Sequence, residues 1–320
     1  MKILILGAGS IGGYVGGRLH QSGADVTFLV RPARRETLMR DGLVIKSTKG
    51  DITQKVKTVL SGSSNGTIEG GPYDVVMMTC KAYDLDSAIA AVAPAIGADT
   101  TIVPMLNGHR HIDTLAAKFG DARVTGGLAR VGVAMNDKGE ILHTSPFAAI
   151  SFGERDGKPA RKTLVELDAA VKNAGIDGGL NQNILQDAWD KWIMLCSLAA
   201  MCCLMRGTSG DILEADEGQA IMLETVEECR KVAAAAGHDL DEKGMKNVRS
   251  YLTQKGSKFA ASMLHDLEKG AMVEADHVVG DMIARAKKAG IATPNLRMAY
   301  AHLQVYLARR ARGGIGKPAL

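Results

Sequence analysis

The sequence predicts a chain of two parts. Residues 1–182 are predicted to be an α/β part with a doubly wound, mostly parallel sheet, and residues 183–320 an all-α part. In the first part, short β-type runs alternate with helical segments, which is typical of a parallel sheet with helices on both faces. In the second part, strand signals vanish and helical periodicity recurs in successive segments. The length of 320 residues agrees with two domains of about 150 residues each.

The elements of the first part follow one another closely. The predicted strands are KILIL (2–6), DVTFLV (25–30), LVIKS (43–47), VKTVL (56–60), DVVMMT (74–79) and TIVPML (101–106). Helices are predicted from the glycines after the first strand to about Ser22, and then at 84–96 and 159–174. Residues 123–153 carry a β pattern, in which Asn136 to Gly139 are a hairpin-turn signal.

The second part has a long apolar run within a series of helices. The predicted helices are 182–205, 212–236, 242–255, 258–267, 273–289 and 295–310. The apolar run, Trp192 to Met205, is shorter than the roughly 20 residues that span a bilayer. Because a helix that is apolar on all sides is one buried inside a protein, we expect this run to be core and not a membrane segment.

Composition argues against several classes of protein. The net charge is only +4, and no block of lysine or arginine is longer than a pair, which disfavours a nucleic-acid groove or a polybasic membrane anchor. The five cysteines form no CxxC pair, and their odd count favours reduced thiols in the cytoplasm. No carboxylate cluster accompanies His109 and His111, so we expect no metal site. The expectation is a cytoplasmic monomer or homodimer.

A glycine motif follows the first predicted strand and opens the first predicted helix. Gly7, Gly9 and Gly12 form a GxGxxG, in the context that a dinucleotide-binding Rossmann motif requires. In such a motif the first glycine permits a tight turn, the second lets the backbone approach a pyrophosphate, and the third allows close helix–strand packing. The N–H groups at the helix start, which include those of Ser10 and Ile11, would face the phosphates. The alternative is a glycine-rich turn that binds nothing.

The end of the second predicted strand indicates which dinucleotide is bound. NAD enzymes usually carry Asp or Glu at this point, to bond the ribose 2′-hydroxyl. Here Val30 is followed by Arg31, and no carboxylate occurs before Glu36. Arg31 suits a 2′-phosphate, and Arg34 or Arg35 would add charge, so the sequence favours NADP(H). The alternative is a solvated basic loop.

Three polar residues of the second part suggest chemistry, each with a plainer alternative. Lys191 is the last charged residue before the apolar run. Burial there would lower the pKa of its ammonium toward the range useful for proton transfer. The alternative is a lysine at a helix end whose ammonium extends into solvent. Glu274 lies among apolar residues, although a solvent-facing helix glutamate is equally common. Ser262 would lie about 120° from Glu274 on one continuous helix, so a shared pocket needs a break, for which Gly270 is the obvious place.

Taken in order, these residues resemble the ketopantoate reductase (2-dehydropantoate 2-reductase) family. The matching features are GAGSIGG at the N-terminus, Lys81 in TCKAYDL, Asn107-Gly108 in PMLNG, Lys191 in AWDKWIMLCSLAA, Ser262 in ASMLHD and Glu274 in VEADHV. Both their order and the spacing from the serine to the glutamate agree, so the resemblance covers most of the chain. It implies NADPH-dependent reduction of 2-dehydropantoate, a small 2-oxo acid, to pantoate in pantothenate synthesis.

The resemblance also implies roles for single residues. Lys191 would be the general acid that protonates the carbonyl oxygen as hydride arrives from the nicotinamide. Glu274 would bond the substrate hydroxyl and the Lys191 amine, while Ser262 would help hold the substrate carboxylate. Asn107 would lie by the nicotinamide and orient Lys191, and Lys81 would lie at the junction of cofactor and substrate. The cofactor-binding set is then Gly7, Gly9, Ser10, Ile11, Gly12, Arg31, Lys81, Asn107 and Glu274.

The chain departs from the family pattern at several positions. Asparagines that commonly occur four and eight residues after the lysine are Leu195 and Ala199 here, and one three residues before the serine is Phe259. The NG motif continues with His109-Arg110-His111. Because hydrogen-bonded sites discriminate strongly between substrates, these changes favour a reductase of a different 2-oxo acid as one alternative. A non-catalytic NADP(H)-sensing protein is another. Arg206 is either a substitute carboxylate anchor or a helix-end arginine.

Overall fold

The computed structural model describes residues 1–61 and 68–314. The chain divides into two compact units. One consists of Met1–Leu106 and His111–Leu185, and the other of Asn107–Arg110 and Gln186–Leu320. The predicted boundary at residue 183 places Asn107–Arg110 in the first part, whereas the structure groups these four residues with the second unit. The binding roles assigned to the two parts stay predictions.

The described strands all lie in the first unit and form two sheets. They are β1 (Lys2–Leu6), β2 (Asp25–Val30), β3 (Leu43–Ser47), β4 (Ile52–Gln54), β5 (Lys57–Leu60), β6 (Val75–Met78), β7 (Thr101–Pro104), β8 (Gly126–Met135), β9 (Ile141–Gly153) and β10 (Asp177–Leu180). The first sheet has the order β5-β2-β1-β6-β7 with every neighbouring pair parallel. This confirms the predicted doubly wound parallel sheet, whose strands alternate with helices.

The second sheet has the order β10-β9-β3-β4, with β8 antiparallel to β9. The sequence pattern places LVIKS in one series with the strands of the first sheet, but it pairs with β4 and β9 instead. Local alternation identifies a strand without specifying its neighbours, since pairing depends on residues far along the chain. The hairpin turn at Asn136–Gly139 forms as predicted, with the Gly139 N–H bonded to the Asn136 carbonyl at 2.9 Å.

The described α-helices are distributed over both units. They are α1 (Ser10–Gln21), α2 (Pro32–Asp41), α3 (Leu85–Val92), α4 (Arg110–Phe119), α5 (Lys162–Asn173), α6 (Ile184–Met205), α7 (Ser209–Ile212), α8 (Gly218–Ala235), α9 (Glu242–Leu252), α10 (Ser262–Glu268), α11 (Asp281–Lys288) and α12 (Pro294–Ala311). Within the described residues, the chain after β10 is helical without strands, as predicted. Short 3₁₀ turns lie at 82–84, 93–95 and 121–123, and a π-helical turn covers Asp276–Gly280.

Helix α1 lies against both sheets because glycines line its two packed faces. A Cβ at Gly16 would overlap the Phe28 ring on β2, whereas a Cβ at Gly17 would overlap Ile45 on β3. Side chains at these positions would push the sheets away from the helix, since protein interiors are close-packed. Glycine at these two positions therefore allows α1 to lie close to both sheets.

Helix α6 is the core element of the second unit. It is the one described helix that is long and apolar enough by length and composition to cross a membrane, and 61% of its apolar window is buried inside the protein. Trp192, Ile193, Cys196, Ala200 and Cys203 are all nearly or fully buried in one cluster with residues of later helices. The apolar run is thus core, as the sequence analysis expects.

Candidate active site

The glycine loop joins β1 to α1 in the conformation that the motif predicts. Gly7 has φ +91, a left-handed value that favours glycine, and a Cβ at Gly12 would overlap the Gly7 carbonyl oxygen and the Thr79 hydroxyl. Gly9 is the N-cap of α1 and has no side chain to cap the helix. The first N–H groups of α1 therefore depend on a partner other than a capping side chain.

The loop fits the pyrophosphate of a dinucleotide. A Cβ at Gly9 would meet no atom within 4 Å, so the backbone at this point borders open space. An anion there faces the N-terminus of a twelve-residue helix, where free N–H groups and the helix dipole favour negative charge. These are the residues that the sequence analysis assigns to the cofactor.

Arg34 supports the loop from α2. Its Nε donates to the Ala8 carbonyl at 2.9 Å, and its Nη1 donates to the Gly139 carbonyl at 2.9 Å. Burial lowers the pKa of this guanidinium. Its Nη2 is buried and has no hydrogen-bond partner in the structure, which leaves one buried N–H₂ group beside the loop that suits an anionic oxygen.

Arg31 stands outside this arrangement, at the N-cap of α2. Its side chain is 74% exposed and lies 3.0 Å from the Asp84 carboxylate. Asp84 ends the 3₁₀ turn that starts directly after Lys81, a half-buried residue that follows β6. The sequence analysis missed Asp84, because an acidic residue in a polar turn carries no signal of what it pairs with.

In the second unit, Lys191 and Asn107 are brought together. The Lys191 Nζ donates to the Asn107 Oδ1 at 3.0 Å, although the two residues are 84 positions apart. Gly108, next to Asn107, has φ +74, and a Cβ there would lie 3.0 Å from the His277 ring and from its carbonyl oxygen. The tight approach of the chain to His277 therefore requires glycine at this position.

Glu274 is buried, which excludes the solvent-facing alternative. It is 8% exposed and precedes the π-helical turn Asp276–Gly280. Burial lowers the pKa of His277, while the nearby Glu274 carboxylate and a hydrogen bond to the Asn107 backbone oppose this shift. His277 thus connects the segment of Glu274 to the segment of Asn107. Single π-helical turns frequently occur at functional sites.

Trp192 joins the same π-helical turn to α6. Its indole Nε1 donates to the carbonyl of Val278, which lies within that turn, at 2.9 Å. Because Trp192 follows Lys191 directly, the helix that carries the ammonium is fixed to the segment that carries Glu274. In the sequence, this tryptophan is distinguished only as the first residue of the apolar run.

The chain next to Ser262 contacts α6 at Cys202, which is further along that helix than Lys191. Ser262 is exposed and is the first residue of α10, while the backbone of Ala261 is hydrogen-bonded to the Cys202 thiol. Cys202 is on the same side of α6 as Lys191, about 16 Å along the axis. Gly270 has φ +70 and lies just beyond α10, so the chain breaks between Ser262 and Glu274 as predicted.

Two of the departures from the family pattern, Leu195 and Ala199, lie along this side of α6. Leu195 and Ala199 follow Lys191 at about 40° and 80° around the axis, and Phe259 is 39% exposed. Their side chains supply no hydrogen-bonding group. Arg206 has φ 58 directly after the last residue of α6, which is the helix-terminating position of the plainer alternative.

No group of three metal-ligating residues occurs among the residues that the structure describes. Burial raises the pKa of the Cys202 and Cys203 thiols to about 11 and about 12, so neither is a nucleophile at neutral pH. The side chains that suit chemistry are therefore Lys191, Asn107 and Glu274, together with the glycine loop of the first unit.

Comparison with known proteins identifies the family of this chain. Residues 3–157 match the family description "Ketopantoate reductase PanE/ApbA", and residues 183–307 match "Ketopantoate reductase PanE/ApbA C terminal". The chain belongs to the ketopantoate reductase family.

Relatives of this oxidoreductase family match along nearly the whole chain. An uncharacterized oxidoreductase, YkpB, of Bacillus subtilis (strain 168) is 37% identical over 97% of this chain and 100% of its own length. A 2-dehydropantoate 2-reductase of Pyrococcus horikoshii is 28% identical over 92% of this chain and 93% of its own. The crystal structure of a 2-dehydropantoate 2-reductase from Geobacter metallireducens GS-15 has a TM-score of 0.85 at 27% identity, over 95% of this chain and 99% of that one.

Proposed function

We propose that this member of the ketopantoate reductase family reduces 2-dehydropantoate to pantoate with NADPH in the cytoplasm, as a step of pantothenate synthesis. The observation that carries the proposal is the hydrogen bond from the Lys191 ammonium to Asn107, within a unit that also buries Glu274. A cationic donor of this kind suits a ketone, which develops negative charge on oxygen when it gains hydride.

The side chains have distinct roles in this proposal. Bound NADPH would supply the hydride, and its pyrophosphate would be held by Gly7, Gly9, Ser10, Ile11 and Gly12. Lys191 donates the proton to the carbonyl oxygen of the substrate. An ammonium carries three N–H bonds, so the bond to Asn107 fixes one of them and confines the directions of the others. Glu274 accepts from the substrate hydroxyl.

The cofactor preference is part of the proposal. Arg31 binds the 2′-phosphate of NADPH after release of Asp84, since an exposed ion pair contributes little and a phosphate is the stronger acceptor. Lys81 and the buried Nη2 of Arg34 provide further positive charge in the first unit.

A second candidate function is the reduction of a 2-oxo acid that lacks a hydroxyl. Leu195 and Ala199 on the Lys191 side of α6 favour it, because neither side chain can hydrogen-bond a substrate hydroxyl. This candidate shares the cofactor and the general acid with the first and differs only in the substrate.

A matched pair of substrates separates the two candidates. 2-Dehydropantoate and 3,3-dimethyl-2-oxobutanoate differ only by one hydroxyl, so the ratio of their kcat/KM values with NADPH reports whether the site hydrogen-bonds that group. A ratio of about 10⁴ in favour of 2-dehydropantoate is expected for the first function. A ratio near or below one would overturn it and support the second. NADH in place of NADPH, with each substrate, tests the cofactor.

Replacing Lys191 tests the mechanism under either function. Lys191→Ala removes the proton donor, so kcat should fall by about 10²–10⁴, while NADPH binding measured by fluorescence titration stays unchanged. Lys287→Ala, which removes an exposed lysine of α11, is the matched control. A Lys191→Ala enzyme with the parent kcat would eliminate Lys191 as the general acid.

A further inference from the structure

Four aromatic rings form a cluster in the second unit, and two of them, Trp189 and Trp192, are on α6. The His109 ring lies 4.6 Å from the Trp189 ring at an interplanar angle of 25°, and 5.1 Å from the Trp192 ring. His238 stacks on Trp189 at 5.7 Å. The Arg285 guanidinium carbon lies 5.6 Å from the centroids of both tryptophan rings. In sequence, Lys191 lies between the two tryptophans that contact His109.

His109 is suited neither to proton transfer nor to metal binding. It is only 6% exposed, and burial together with the nearby Arg285 lowers its pKa to about 3, so the imidazole is neutral throughout the physiological range. A hydrogen bond to the Ala188 backbone adds to the ring stacking, whereas Nε2 is buried without a partner. Because the ring is buried, uncharged and held by these contacts, it is suited to fixing the position of the backbone next to it.

The position of His109 connects it to the proposed general acid. Asn107, Gly108 and His109 are consecutive, and the left-handed turn at Gly108 lets both neighbours face α6. Asn107 meets this helix at Lys191, and His109 meets it at Trp189 and Trp192. The short segment is therefore attached to one helix at two points, and the stacked ring limits how far the Asn107 amide can turn.

We propose that His109 is a positioning residue, which holds Asn107 where its side-chain oxygen accepts the hydrogen bond from Lys191. The proposal rests on the proposed function, in which Lys191 is the general acid. In this proposal His109 acts on Lys191 through Asn107. The indole of Trp192 extends the same support to the Glu274 segment through its bond to Val278.

A double-mutant cycle tests the proposal. The variants are His109→Ala, Asn107→Ala and the pair together, each assayed for NADPH oxidation with 2-dehydropantoate and with 3,3-dimethyl-2-oxobutanoate. His109→Ala should lower kcat by about 10–100-fold, with the KM for NADPH and for the oxo acid within about 3-fold of the parent, because a lost orientation affects the transition state. The double variant should be no slower than Asn107→Ala alone, since His109 acts only through Asn107.

Two further variants separate positioning from general stability. His109→Phe keeps a ring between the tryptophans and should restore kcat to within about 3-fold of the parent, whereas His109→Leu, which fills space without a ring face, should behave like His109→Ala. If His109→Ala does not fold, His109→Leu takes its place in the double-mutant cycle. His238→Ala removes a ring from the far side of Trp189 and is the control, with kcat unchanged.

The outcomes distinguish this proposal from the proposed function. If Lys191→Ala abolishes turnover but folded His109→Ala and His109→Leu keep the parent kcat, only the positioning role fails. The positioning role is also overturned if the fall in kcat of the double variant equals the product of the falls in the two single variants, because His109 would then act independently of Asn107. If Lys191→Ala itself keeps its kcat, the proposed general acid fails, and the positioning role fails with it.

Discussion

Arg31 and Arg34 lie at the start of the same helix, yet their guanidinium groups have different partners. Arg34 is bound to the backbone carbonyls of Ala8 and Gly139, so it supports the glycine loop itself. Arg31 is exposed, and its partner is a side chain that it can exchange for a ligand. We therefore expect Arg34 to affect any dinucleotide and Arg31 to affect only one that carries a 2′-phosphate.

This difference predicts the effect of each substitution on the two cofactors. Arg31→Ala should weaken NADPH binding by about 10–100-fold, the value of a charge-assisted hydrogen bond, and leave NADH within about 3-fold of the parent. Arg34→Ala should weaken both cofactors together. Dissociation constants from fluorescence titration provide the measurement. Equal losses of NADPH and NADH in Arg31→Ala would count against its binding of the phosphate.

At the residue scale, the candidate catalytic residues were predictable from the sequence, whereas the residues that support them in the structure were not. Lys191 stands out as the last charged residue before an apolar run, and Asn107 is identified by the family resemblance; the structure brings the two together. His109, Trp192 and Asp84 gave no signal, because ring stacking and ion pairing join residues that are far apart in sequence. The catalytic and binding roles themselves stay predictions.

At the element scale, the N-terminus of α12 is capped by another helix. Its N-cap, Thr293, makes no side-chain capping bond, and Pro294 has no N–H. The carboxylate of Glu228 on α8 instead accepts from the N–H groups of Asn295 and Leu296, at 2.9 and 3.1 Å. Glu228 is 7% exposed, so these two donors would have no partner without it.

Two substitutions of Glu228 should therefore destabilise the fold unequally. Glu228→Ala leaves two N–H groups without an acceptor and should lower the free energy of unfolding by about 2 kcal/mol or more. Glu228→Gln keeps one oxygen acceptor and should cost less. Urea unfolding measures both, with the exposed Glu224→Gln on the same helix as the control. A Glu228→Ala protein as stable as the Glu224→Gln control would show that α12 needs no cap.

The same carboxyl makes stability depend on pH. Burial raises the pKa of Glu228 above its ordinary value of 4.5, so the folded state holds this proton more tightly than the unfolded state. The contribution of Glu228 to the free energy of unfolding is thus largest below pH 4.5 and falls as pH rises through the raised pKa. The free energy of unfolding of the parent, relative to that of Glu228→Gln, should fall as pH rises from 4.5 through the raised pKa. A difference that does not change with pH would contradict the raised pKa.

Strongly patterned elements were predictable, and weakly patterned ones were not. The helix α6 and the strands β1, β2 and β6 carry long apolar signals, and they form within a few residues of their predicted bounds. The helix α2 was missed because it buries only Leu38 and is otherwise polar. The strand β10 contains Gly178 and Gly179 at positive φ, so no side-chain propensity announces it. This strand forms because its backbone pairs with β9, and not because its side chains favour a strand.

At the scale of the whole molecule, the cysteines divide sharply by exposure. Cys196, Cys202, Cys203 and Cys229 are 0% exposed, and only Cys80 is half-buried. Burial also raises the pKa of the Cys196, Cys202 and Cys203 thiols, which lowers the fraction of reactive thiolate. All five are thiols, in agreement with the expectation from their odd number and irregular spacing.

Titration with a thiol reagent tests this division over the whole fold. The native protein should react quickly at one of its five thiols and at all five after denaturation in guanidinium. Cys80→Ser should abolish the fast reaction. Rapid labelling of more than one thiol in the native protein would mean that the core of the second unit opens readily.

The assignment of Asn107–Arg110 to the second unit has a consequence for how the gene can be divided. The chain passes between units after Leu106, again after Arg110 and a third time after Leu185, so no single cut separates the two. A fragment that ends at residue 182 would still carry Asn107 and His109 but would lack the helix to which both are attached. A chimera that joins the α/β half of this chain to the helical half of a relative must therefore exchange those four residues as well, because otherwise Asn107 and His109 would face a helix with a different sequence.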